Sequence, residues 1–285
     1  MEQNYKTIIL DNRYKLDRIL NNSSCSIIFE GHHIYKNTKV AIKINFDMIS
    51  KMLLKNEINH YFHLKKNCKE IIMPNIKYIG TYNNNTYMVM NLLNENIESF
   101  YNKNKNDSVF LKICKHIFHL LFLCHENNLV HRDIKPDNFI LDNKNNINII
   151  DFGLSSKINT RTSHFIGNKK FASYRCHNNN YIYCKTDDFI SAIYMLLYLY
   201  TNKLPWNNTL DHITYYKIKK NTNLRLFYIE HNNNKIISRL LNIYESLKYK
   251  STYSLLEYKN IQKKISSIKL DNKYNICQKF FHVLL

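Results

Sequence analysis

At Asn94 the apolar pattern of the chain changes period, and that change restricts the folds open to it. Before it, "KVAIKINF" (39–46), "IKYIGTY" (76–82) and "TYMVMNLL" (86–93) read as short β-type runs, interrupted by one helical stretch near 51–64. After it, "VFLKICKHIFHLLFLCHENN" (109–128) carries apolar residues at three- and four-residue spacing, the pattern of an amphipathic helix. The expectation is an α+β chain, a small β-rich part followed by a larger helical one. No long linker separates them, so a cleft between the two is expected. The "NNN" patches at 83–85, 178–180 and 232–234 read as surface loops.

Composition removes several function classes. The formal charge of +19 invites a nucleic-acid partner, but the excess is mostly Lys and comes with abundant Asn, Ile and Tyr. Those residues share AT-rich codons, the bias of some large DNA viruses and parasites. No Arg-rich helix or aromatic RNA-binding signature accompanies the charge, so no specific nucleic acid is expected. What remains is a positive surface that attracts acidic partners. The N-terminal "MEQNYKTIILDNRYKLD" is charged throughout and does not read as a signal peptide, and the apolar run 189–200 is too short to span a bilayer. A monomeric cytoplasmic protein with no membrane partner is expected, nuclear entry remaining open. Seven cysteines, at 25, 68, 114, 124, 176, 184 and 277, lack CxxC or zinc-ligand spacing and read as free thiols.

The chemistry is concentrated in "LVHRDIKPDNFILDNKNNINIIDFGLS" (129–155), which contains HRDxxxxN at 131–138 and DFG at 151–153, joined by a β-type run. Alone, Asp133, Asn138 and Asp151 would each read as a turn residue. All three within one short stretch argue against that reading. Upstream, the strand "VAIK" turns Lys43 away from Ile42 and Ile44.

On these motifs the chain resembles the eukaryotic protein kinases. The resemblance implies a bilobal fold, with a β-rich N-lobe over 1–93 and a helical C-lobe over 94–285, and a reaction that uses ATP with Mg2+, or Mn2+ in its place. It assigns Asp133 as the base orienting the acceptor hydroxyl, Lys135 as the cation on the transferred phosphoryl, and Asn138 and Asp151 as metal ligands. His131 and Arg132 become structural supports of that loop. Lys43 is assigned to the ATP phosphates, and Glu57 to the ion pair that fixes it. Ile28, Ala41, Met90, Asn91 and Leu93 become ATP-binding positions, Met90 as gatekeeper and Asn91–Leu93 as hinge. "DIKPDN" resembles the serine/threonine-specific form of the loop.

A finer resemblance comes from "FAS" (171–173), His177, "DDF" (187–189) and "LPW" (204–206), which are similar to the casein kinase 1 group, including its viral and vaccinia-related relatives. "YESLKYKSTYSLLEYKNI" (244–261) fits the same group. The usual APE-type motif is missing, and Ile193 stands where a glycine is usual. Asp188 matches the aspartate that braces the catalytic-loop backbone. The group favours acidic or phosphorylated protein substrates, which assigns Lys170, with Lys169 beside it, to substrate binding; Lys217, Lys219 and Lys220 are candidates to complete the patch.

One stretch departs from the pattern. "ILNNSSCSIIFEG" (19–31) has the position of the loop that covers the nucleotide, yet its three glycine positions fall on Asn21, Ser23 and Ser26. If those positions needed left-handed backbone, each serine would cost roughly 1–2 kcal/mol. Since about 1.4 kcal/mol is tenfold in affinity, ATP binding would weaken by roughly ten- to a few hundredfold. The alternative is a kinase-shaped module that binds a protein partner and transfers nothing.

Overall fold

The computed structural model describes residues 5–23, 26–45, 47–207, 211–231, 233–250 and 255–267. Cys25, Cys277 and residues 251–254 of the late motif lie outside the described residues. Cys68, Cys114, Cys124, Cys176 and Cys184 are free thiols. The chain forms two compact units: 1–94 with 148–153, and 95–147 with 154–285. The segment 148–153, assigned to the larger part on sequence, belongs to the first unit.

The first unit is an antiparallel sheet with one helix. Its strands are β1 (Ile9–Leu10), β2 (Tyr14–Asn22), β3 (Ser26–His33), β4 (Thr38–Asn45), β5 (Ile76–Tyr82) and β6 (Asn85–Asn91), ordered β1-β2-β3-β4-β6-β5. Strand alternation sends Val40, Ile42 and Ile44 to one face, where they pack with Leu10, Tyr14, Leu16, Phe29, Tyr87 and Val89. The opposite face carries Ala41 and Lys43, paired with Met90 and Met88 on β6, while Ile28 of β3 lies across from Lys43. Helix α1 (Met48–Asn67) packs on β4 and β6 and extends three residues beyond the expected stretch at each end. A capping box adds a turn at the start: the Asp47 carboxylate accepts from the Ser50 amide at 2.9 Å, and the Ser50 hydroxyl accepts from the Asp47 amide at 3.2 Å. The buried stripe of α1 is Leu54, Glu57, Ile58, Tyr61 and Leu64, so helical periodicity places a carboxylate among apolar side chains.

The second unit is helical, with α2 (Ile97–Lys103), α3 (Asp107–Glu126), α4 (Lys185–Thr201), α5 (His212–Asn221), α6 (Leu224–Phe227), α7 (Lys235–Leu247) and α8 (Leu255–Ser266). Beyond Asn128 the chain also carries the short strands β7 (Leu129–Val130), β8 (Phe139–Leu141), β9 (Ile147–Ile149), of which residues 148–149 belong to the first unit, β10 (Ser156–Lys157), β11 (Arg161–Thr162) and β12 (Tyr181–Ile182). Helix α4 is the centre: thirteen of its seventeen residues are buried, and α3 and α7 pack on it. Among the described residues α3 is the one helix long and apolar enough to cross a membrane, but 72% of that stretch is buried inside the unit, where α4 and α8 cover it. The ladder β11–β12 and the pair β7–β10 hold the segment after DFG.

Gly31 is fixed by a close approach. A Cβ there would lie 2.3 Å from the Lys15 carbonyl oxygen and 2.8 Å from Ile42 Cδ1. Gly31→Ala is therefore expected to force β2 and β3 apart and cost about 1–3 kcal/mol. Urea unfolding reads this as a lower midpoint at unchanged slope.

Candidate active site

In the first unit one ammonium group organises the site. Lys43 Nζ donates to Glu57 Oε2 at 2.7 Å and to Asp151 Oδ1 at 2.9 Å. The Lys43 side chain is 9% exposed and that of Glu57 2%. Burial alone would drive the amine towards its neutral form, but the charges of Asp151 and Glu57 outweigh it and hold Lys43 protonated above its ordinary range. Burial pushes the Glu57 carboxyl up to about 7 against the pull of Lys43. Removing one member of such a buried set costs roughly 3–5 kcal/mol, because the charge left behind has lost its partner.

Asp151 reaches this position through its backbone and the fixing of its neighbours. It has φ 63°, in the left-handed region. Phe152 is fully buried and meets Tyr61 of α1 edge-on at 5.1 Å. Asn56 Nδ2 donates to the Gly153 carbonyl at 2.8 Å, and the His60 ring lies 3.3 Å from the Phe152 carbonyl. Helix α1 thus holds Glu57 and DFG by residues at 56, 57, 60 and 61. Asn56, His60 and Tyr61 were not foreseen, though their spacing from Glu57 puts them on one face.

The nucleotide-covering hairpin corrects the strain expectation. Asn21, Ser23 and Ser26 all have negative φ; none is among the left-handed residues. Strands β2 and β3 stay paired up to Asn21↔Ile28 and Asn22↔Ile27, with register shifts between Leu16 and Arg18 and between Ile19 and Asn21. The tip is closed by serine: the Ser23 amide and hydroxyl donate to the Ser26 carbonyl at 3.0 and 2.9 Å, and the Ser26 amide donates to Ser23 Oγ at 3.1 Å. The extra bonds replace the backbone freedom that glycine would give. Ile28, Ala41 and Met90 lie on the same sheet face as Lys43; Asn91 ends β6, and Leu93 is half-buried beyond it.

In the second unit the catalytic-loop residues expected from sequence come together. Lys135 Nζ lies 2.9 Å from Asp133 Oδ2. Asn138 Nδ2 donates to the Asp133 carbonyl at 2.7 Å and to its Oδ2 at 3.0 Å. With the nitrogen end of Asn138 used twice, its oxygen is the end suited to a cation; Asp151 likewise offers carboxylate oxygen, so both residues fit a hard divalent metal such as magnesium. Asp188 accepts from the His131 amide at 2.8 Å, the Arg132 amide at 3.0 Å, Tyr183 Oη at 3.0 Å and His125 Nε2 at 3.0 Å. Burial would raise its pKa, but the hydrogen bond and charge of His125 bring it below the ordinary range. Arg132 has φ 71°, and Gly167, at φ 108°, sits so close that a Cβ would lie 2.2 Å from the Arg132 carbonyl oxygen. The Asp188 brace is what fixes this strained turn. His125 and Tyr183 are partners the sequence reading missed: the former is hidden in an apolar helix, and the latter carries no local signal.

A protein kinase domain model matches residues 14–272. The chain belongs to the protein kinase family. Its β-rich N-terminal region and helical C-terminal part are the two portions of that α+β domain, and protein kinase activity is the family's general chemistry.

The lysines expected on sequence to form a substrate patch differ in accessibility. Lys169 is exposed, whereas Lys170 is half-buried with its Nζ 3.4 Å from the centre of the Tyr198 ring. Lys217 and Lys220 are exposed, but Lys219 is fully buried and does not belong to a surface patch; the apolar spacing of α5 turns it inward.

Two outcomes test this site. Mg·ATP should raise the melting temperature of the wild type, and Lys43→Met should abolish most of that shift while remaining folded. Because neither serine is strained, the double change Ser23→Gly, Ser26→Gly should tighten ATP by no more than a few-fold; a tenfold gain in calorimetric titration would show that left-handed backbone is needed there after all.

Proposed function

We propose that this kinase domain is an active serine/threonine protein kinase of the casein kinase 1 type, transferring the ATP γ-phosphoryl to acidic or already phosphorylated protein sites. The observation that carries the reading is the Lys43 ammonium buried between Glu57 and Asp151. A partner-binding surface has no use for a buried charge set of this cost, whereas phosphate orientation requires it. The serine-closed hairpin supports the same reading, since Asn21, Ser23 and Ser26 are not among the described left-handed residues.

In this reading Asp133 orients the acceptor hydroxyl and receives its proton as the oxygen–phosphorus bond forms. Lys135, already on the Asp133 carboxylate, is close to the charge of the migrating phosphoryl. Lys43 fixes the α- and β-phosphates, and Glu57 prevents the lysine from swinging away. Asn138 and Asp151 each offer an oxygen that would hold magnesium, which would neutralise charge on the phosphate oxygens. Lys169, exposed, and Lys170, lifted from the Tyr198 ring, supply positive charge for an acidic substrate.

A peptide panel tests the reading. Serine and threonine peptides with acidic or phosphorylated flanks should be labelled faster than neutral ones, and tyrosine peptides should not be labelled. Lys170→Glu should lower the acidic preference by about tenfold, the effect of reversing one charge near an anionic ligand. Equal rates on acidic and neutral peptides would remove the acid-directed part of the proposal.

A further inference from the structure

Of Lys217, Lys219 and Lys220, Lys219 is the one lysine that the surface does not use, and its surroundings are unusual for a lysine. It is 0% exposed. Its Nζ donates to the Lys169 carbonyl at 2.6 Å and the Ala172 carbonyl at 2.7 Å, and lies 3.2 Å from His177 Nε2. Aromatic rings complete the box: Tyr215 at 5.0 Å, Trp206 at 5.2 Å and Tyr194 at 5.6 Å from the nitrogen. No carboxylate of the described residues pairs with it, and burial drives its pKa well below the ordinary lysine range. In either protonation state the amine has the two N–H bonds that the carbonyls take.

Both carbonyls belong to the short segment that bears Lys169 and Lys170. Trp206 Nε1 donates to the carbonyl between them, that of Lys170, at 2.8 Å. From the other direction the Asn168 side chain accepts from the Lys170 and Phe171 amides, and the Asn168 carbonyl accepts from the Ala172 amide. Without these bonds the segment would be a surface turn with its carbonyls in water. Burying a lysine that pairs with no carboxylate costs free energy that packing alone does not need, because an apolar side chain would fill the box at lower cost.

We propose that Lys219, assisted by Trp206, is a positioning residue that fixes the main chain 169–172 and so sets the geometry in which an acidic acceptor peptide is held. The inference rests on the protein-kinase reading above, and in particular on 169–172 as the acceptor platform. It implies that the acceptor is recognised through side chains such as Lys169, because three of the four carbonyls in the segment are engaged inside the protein.

The test is steady-state kinetics on an acidic serine peptide with Lys219→Met, which keeps an unbranched side chain in the aromatic box and removes the donors. The KM for peptide should rise by about tenfold, the effect of two lost hydrogen bonds, while kcat and the KM for ATP stay within about twofold. A residue that merely supports folding would not separate the two KM values. Trp206→Phe, which keeps a ring and removes one donor, should raise the peptide KM by about threefold and serves if Lys219→Met does not fold. Hydrogen exchange should quicken at the amides of 170–172 in either variant. Unchanged peptide KM in a folded variant would overturn the positioning role alone. Failure of the wild type to label any peptide would overturn the kinase reading and the inference with it, and the two failures are distinguished by the wild-type control.

Discussion

An ammonium group cannot be taken out of water without opposite charge around it, and the first unit of this kinase domain is arranged to meet that demand at Lys43. Strand β4 is buried on both faces, with Val40, Ile42 and Ile44 in the sheet core and Lys43 on the other side. Helix α1 interrupts its apolar stripe with Glu57. The segment 148–153 belongs to the same unit and brings Asp151 within 2.9 Å of the lysine. The contacts of Asn56, His60 and Tyr61 with Gly153 and Phe152 follow from that requirement, since Asp151 is useful only if its backbone cannot drift.

A chain with four glycines must find left-handed backbone elsewhere. Nine asparagines among the described residues adopt it, Asn83, Asn84, Asn145 and Asn202 included, so at these positions asparagine takes the place of glycine. Two of the remaining left-handed residues have a different cause. Arg132 is the one described case that is neither glycine, Asn nor Asp, and Asp151 is the first residue of DFG. Both lie in the catalytic motifs, where a network of bonds, Asp188 for one and α1 for the other, holds the conformation. The nucleotide hairpin solves the shortage in a third way, with serine hydroxyls closing a turn that needs no left-handed residue at Asn21, Ser23 or Ser26.

Local pattern made these elements legible: the β-type runs and the long helix α3 appear where apolar periodicity puts them. The candidate catalytic residues stood out because HRDxxxxN and DFG keep a fixed spacing within one short stretch. Less legible were the contributions that depend on tertiary partners. Nothing near Lys219 distinguishes it from Lys217 or Lys220 except the turn of α5, and in a lysine-rich chain the inward lysine looks like its neighbours. His125 and Tyr183 brace Asp188 from positions that sequence separates by more than fifty residues and by five. The serine hairpin is less legible because its hydrogen bonds join Ser23 to Ser26, a pairing that a glycine pattern does not describe.

The central claim is that the buried set at Lys43 serves phosphoryl transfer. Its most direct test is incorporation of radiolabelled phosphate from ATP into casein and into the protein itself, with magnesium or manganese, in the wild type and in Asp151→Asn. The account predicts incorporation in the wild type that disappears in the variant. No incorporation by folded wild type at millimolar ATP, or incorporation undiminished by the substitution, would contradict it.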